Sequence, residues 1–95
     1  MTPMEMLEYI RVPGLPGNPF QELTAKVDKV IAKLRRGQDG GGLVKRIGNN
    51  VDRLNKLKYV LMSNSVSEDE LKKAAEEIEP LMAAIHRDAD LLLTL

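Results

Sequence analysis

Residues 67–93 read SEDELKKAAEEIEPLMAAIHRDADLLL, and this stretch decides the fold. Leu71, Ala75, Ile78, Met82, Ile85, Ala89 and Leu92 recur at alternating spacings of four and three. A helix with about 3.6 residues per turn lines such positions along one side, whereas a strand would scatter them over both faces. Ser67 supplies an oxygen for the orphan N–H groups of the first turn, with Glu70 three residues on. Pro80 interrupts the run. Its ring removes one backbone donor and crowds the carbonyl of Glu76. The apolar stripe keeps its phase from Ile78 to Met82 and Ile85, so one kinked helix is expected rather than two.

The same start chemistry recurs upstream. TPME (residues 2–5) offers Thr2 as cap, Pro3 at the first helical position and Glu5 as reciprocal partner. NPFQ (residues 18–21) repeats the pattern with Asn18, Pro19 and Gln21. A short helix is therefore expected over Pro3 to Arg11, ended by VPGLPGNP (residues 12–19), whose prolines and glycines exclude regular structure. A second helix should run from Pro19 to about Arg36, with Phe20, Leu23, Val27, Val30 and Leu34 on its apolar side and Ile31 widening it. A third, from about Leu43 to Met62, carries Val44, Ile47, Val51, Leu54 and Leu61. Lys58 stands where that stripe calls for an apolar residue, with Leu57 beside it. Stripes of this kind pack helices at shallow angles, and connections as short as GQDGGG and SNSVS favour antiparallel neighbours. The expected class is all-α: an antiparallel three-helix bundle, or helical hairpin, over residues 18–95, preceded by an N-terminal helical arm and linker over residues 1–17.

Composition narrows the classes of function. Ninety-five residues make one domain at most, with a modest core. There is no Cys, which removes disulfides and thiolate metal sites. No apolar run approaches a membrane span and no secretory pattern opens the chain, so no membrane partner is expected. A soluble protein of the cytoplasm, or one held within an assembled particle, is the default. The net charge is zero, but eleven Lys/Arg face six Asp/Glu before Val66, and three face eight from there on. A basic front and an acidic final third can attract each other within one chain or between chains.

The most conspicuous loop is RRGQDGGG (residues 35–42). A phosphate loop needs a preceding strand and a following Lys-Ser/Thr pair, and neither is here. A turn accounts for the residues better. Arg35 and Arg36 suit a helix C-terminus, Gly37 can end the helix, and the later glycines reverse the chain. His86, the only histidine, opens the tripeptide HRD without the strands, glycine loop or metal-binding acid of a kinase. It has no nucleophile to serve. The acids of EDELKKAAEEIE (residues 68–79) lack the histidine that would complete a carboxylate metal motif. No catalytic residue, metal ligand, cofactor or small-molecule substrate is expected, and the chain does not read as an enzyme.

Two binding surfaces remain. Met4, Met6, Leu7 and Ile10 on the first helix could dock on a partner or fold back as a cap. With Leu92 continuing the stripe, Leu91, Leu93 and Leu95 should point elsewhere and form an apolar end. The expectation is a non-enzymatic interaction or assembly protein that binds copies of itself or a protein partner; a structural or assembly component of a viral or phage particle is one concrete version. The alternative is a small regulator gripping DNA or RNA through Lys26, Lys29, Lys33 and Arg36 of the second helix and Lys45, Arg46, Arg53 and Lys56 of the third. That alternative requires the two basic faces to be adjacent, and no aromatics interleave them for base stacking.

Overall fold

A computed structural model describes residues 1–34, 40–63 and 65–94 of the chain. It is all-helical: α1 (Pro3–Arg11), α2 (Pro19–Leu34), α3 (Gly42–Met62) and α4 (Glu68–Leu93). Two of the expected caps form as the sequence implies. Thr2 Oγ1 accepts from the Glu5 N–H at 3.2 Å, and Ser67 Oγ accepts from the Glu70 N–H at 3.3 Å. α4 runs unbroken through Pro80, which is exposed. An outward-facing proline avoids collision with neighbouring helices, so its cost is confined to the helix's own backbone.

α4 is the central element. It packs against α1, α2 and α3, whereas no Cα of α2 comes within 8 Å of a Cα of α3. The charge pairs give the directions. Arg46 reaches Asp88 and Arg53 reaches Glu77, so α3 and α4 run antiparallel. Lys26 reaches Asp90 while Lys33 reaches Leu92 and Leu93, so α2 ascends with α4. Ile78, Ile85, Ala89 and Leu92 are completely buried, with Ala75 and Met82 nearly so. Around them lie Phe20, Leu23 and Val30 of α2 and Ile47, Leu54, Leu57 and Leu61 of α3. At Lys58, the off-pattern residue, the stripe shifts to Leu57, which is buried, while Lys58 is left at the edge.

α1 folds back onto the other three helices. Met6 is completely buried, and Leu7, Tyr9 and Ile10 pack against the core. The fastening is Asn18, itself buried. Its Oδ1 accepts from the Phe20 N–H at 2.9 Å, as an N-cap should. Its Nδ2 donates to the carbonyls of Tyr9 at 3.0 Å and Pro13 at 3.1 Å. Tyr9 lies in the last turn of α1, where carbonyls have no partner within the helix. One carboxamide thus ends α1, holds the linker and starts α2. Gly17, at φ +75°, makes the reversal just before it, in a region that residues with a Cβ avoid.

Ile78→Ala should cost about 2–5 kcal/mol, read from urea denaturation, because the cavity lies where three helices meet. Ile78→Asp should abolish the cooperative melt, since a carboxylate there finds no partner. Asn18→Ala should cost about 1–2 kcal/mol, at the upper end for a lost cap, because two carbonyls lose their donor with it. An unchanged melting midpoint would show that the Asn18 contacts contribute nothing.

Candidate functional site

The residues expected to bind a partner divide between core and surface. Met6 is a correction: it belongs to the chain's own core, and Leu7 and Ile10 are half-buried beside it. On a helix, a residue two positions away points to nearly the opposite side. Met4 is accordingly 72 % exposed, and Val12, two turns along the same line, is 48 % exposed. With Glu5, Leu7, Glu8 and Arg11 they line a shallow outer groove on α1. At the other end, Leu91 is 49 % exposed on the outer side of α4, next to Ala83, His86, Arg87 and Thr94. Leu93 is half-buried and packs against the core. Leu95 lies outside the described residues.

The cations of the nucleic-acid alternative are not gathered on one face. α4 separates them, with Lys26 and Lys33 bound along the α2 side and Arg46 and Arg53 along the α3 side. Lys26 Nζ lies 2.9 Å from Asp90. Lys33 Nζ donates to the carbonyls of Leu92 at 2.9 Å and Leu93 at 2.8 Å, while the Thr94 hydroxyl donates to that of Leu91 at 2.7 Å. Three terminal carbonyls of α4 thereby gain donors, and a cation sits at the negative end of the helix dipole. Arg53 grips Glu77 through two bonds of 3.2 and 2.8 Å. Lys29, Lys45 and Lys56 are exposed, and Arg36 lies outside the described residues. Arg35, Gly37, Gln38 and Asp39 of the glycine-rich loop do as well. Arg46, at the α3 end of that loop, is committed to Asp88.

That pairing joins a buried acid to a guanidinium on another helix. Asp88 is wholly buried, and both of its oxygens accept from Arg46, Oδ2 from Nε at 2.7 Å and Oδ1 from Nη2 at 2.8 Å. The fork matches a carboxylate bidentately. Hydrogen bonding from Arg46 holds the Asp88 carboxyl below the usual carboxylate range, outweighing the opposite effect of burial. The same bonds raise Arg46 further above its ordinary value. Nothing in the sequence marked Asp88, since an acid between Arg87 and Ala89 looks like any solvated helix residue. The available signal was its position four before Leu92 and three after Ile85, at the edge of the apolar stripe.

Lys58 is the remaining unusual charge. Its Nζ lies 4.7 Å from the centre of the Phe20 ring, and burial lowers the ammonium below the ordinary lysine value. Phe20, Leu23 and Val27 face Val51, Leu54 and Lys58 across a groove of about 230 Å³ between α2 and α3. No buried side-chain polar atom among the described residues lacks a hydrogen-bond partner. No helix of the described residues is long and apolar enough to cross a membrane. No protein-family model matches the chain, and no solved structure matches it at a significant level.

The Asp88 pairing makes a pH prediction. An acid whose folded pKa is depressed contributes stability that is present above its unfolded value, near 4, and is lost as pH falls through the lower folded value. Arg46→Gln should therefore lower the melting midpoint by several degrees at pH 7. The gap from wild type should narrow progressively below about pH 4. A gap that stays constant from pH 7 to pH 2 would separate the loss from Asp88 ionisation.

Proposed function

We propose that this chain is a non-enzymatic interaction and assembly protein that associates with copies of itself. The observation that carries the reading is the outward presentation of large apolar side chains by capped, packed helices. Met4 stands on the outer line of α1, Val12 at its C-cap, and Leu91 on the outer side of α4. Isolated surface leucines are ordinary. Here the exposed residues adjoin others in shallow grooves, and both helices are fixed from beneath by fully buried residues, Met6 under α1 and Leu92 under α4. Burial of such surface against another subunit is favourable at about 25 cal/mol per Å².

The charge pattern supports a protein partner over nucleic acid. Four of the eight cations considered for phosphate contact already hold carboxylates or helix-terminal carbonyls. A phosphate backbone would have to displace them. A building block of a larger particle, viral or phage, is the more specific form of the proposal, and rests on the same outward surfaces together with the chain's small size.

Light scattering after size exclusion, over a range of concentrations, tests the reading. Wild type should gain mass with concentration. Met4→Glu and Leu91→Glu should each weaken association while changing stability by no more than about 0.5 kcal/mol, as expected for surface positions. Mass profiles identical to wild type for both variants would remove these two surfaces from the interface.

A further inference from the structure

We infer that the groove between α2 and α3 receives the outer line of α1 from a second copy of this chain, with Glu8 of one copy meeting Lys58 of the next. This deepens the self-association proposed above and rests on it.

Three lysines of the described residues are partly buried: Lys26, Lys33 and Lys58. Lys26 has Asp90, and Lys33 has two backbone carbonyls. Lys58 has the face of Phe20 and no carboxylate among the described residues. A half-buried ammonium against an aromatic ring gains some electrostatic attraction but remains short of the hydrogen-bond acceptors that water or an anion would supply. The missing group is a carboxylate. No acid of the described residues pairs with Lys58, and Asp90, Asp88 and Glu77 of α4 are already joined to Lys26, Arg46 and Arg53, so the carboxylate comes through the open side of the groove. The groove's volume of about 230 Å³ lies below the range of small-molecule pockets and suits side chains of a docked helix.

The chain itself presents such a helix face. Met4 and Glu8 lie four residues apart on one line of α1, Val12 follows four further on at the C-cap just past the helix, and all three are exposed. The line reads apolar, acidic, apolar. Glu8 has no ion-pair partner among the described residues. The groove offers the counterpart, a cation set between Val51 and Leu54 on α3 and Phe20 and Val27 on α2. α1 cannot fill the groove of its own chain with this line, since Met6, on its opposite side, is locked in the core. The occupant is therefore another copy. Because the two surfaces differ, the contact is head-to-tail, and it propagates into a filament or closes into a ring.

Complementary variants test this by light scattering, with circular dichroism and melting as controls for folding. Glu8→Lys keeps an intact groove, and Lys58→Glu keeps an intact α1. Each alone should need a concentration at least about tenfold above that of wild type to reach the same mass, the loss expected for 1.4 kcal/mol or more. An equimolar mixture should recover association, since Glu8 of one variant meets Lys58 of the other and the exchanged charges at the second junction are again opposite. If Lys58→Glu fails to fold, Lys58→Met is read in its place, with the same loss and the same recovery expected. Either single variant associating like wild type, or a mixture that stays monomeric, overturns the docking while leaving self-association through Leu91 standing. A wild type that is monomeric at every concentration overturns both, and leaves the groove to a different protein or to solvent.

Discussion

Burial of one stripe along α4 governs the rest of this structure. Ile78, Ile85, Ala89 and Leu92 have no solvent contact, which requires covering elements on more than one side of the helix. α3 supplies one flank, α2 supplies another, and α1 joins them where the N-terminal half of α4 emerges. α2 and α3 meet α4 far more closely than they meet each other. The groove between them, and the half-buried Lys58 at its edge, are consequences of building around a single central helix.

The division of charge along the sequence has a structural use. Lys26, Arg46 and Arg53 come from the basic front of the chain, and Asp90, Asp88 and Glu77 from its acidic final third. These pairs join helices far apart in sequence and lie along the margins of the apolar contact. The two solvent-accessible pairs, Lys26–Asp90 and Arg53–Glu77, add little stability, a fraction of a kcal/mol to about 1 kcal/mol each. The larger value of the pairs is in selecting one arrangement, since sliding α3 by a turn along α4 would place Arg46 and Arg53 away from their acids and leave buried Asp88 with only Arg87, at 3.8 Å, as counter-charge. Neutrality overall thus conceals a matched internal pattern.

Much of this was legible from residue order, for reasons that are local. The capping oxygens of Thr2, Asn18 and Ser67, the prolines after two of them and the regular spacing from Leu71 to Leu92 each act within a few residues. The direction taken by α1 was not legible. Met4 and Met6 are equivalent in composition, and which of them enters the core depends on where Asn18 ties the linker, a contact spanning nine residues. The role of Asp88 was hidden for a related reason, because its partner Arg46 is 42 residues away and belongs to a helix whose register only packing determines. The basic faces of α2 and α3 were legible as faces, but their separation by α4 is a property of topology.

The Asn18 knot has a bearing on the order in which the chain acquires its structure. All three of its bonds close loops of nine residues or fewer, so α1, the linker and α2 can associate without waiting for the C-terminal half. α3 and α4 likewise form a sequential hairpin whose charge pairs zip outward from the turn at Ser65. The last event would then be the docking of two preformed halves across the apolar face of α4, fastened when Lys33 reaches the end of that helix. Contacts made mostly between neighbouring segments are the low-contact-order pattern that goes with rapid folding.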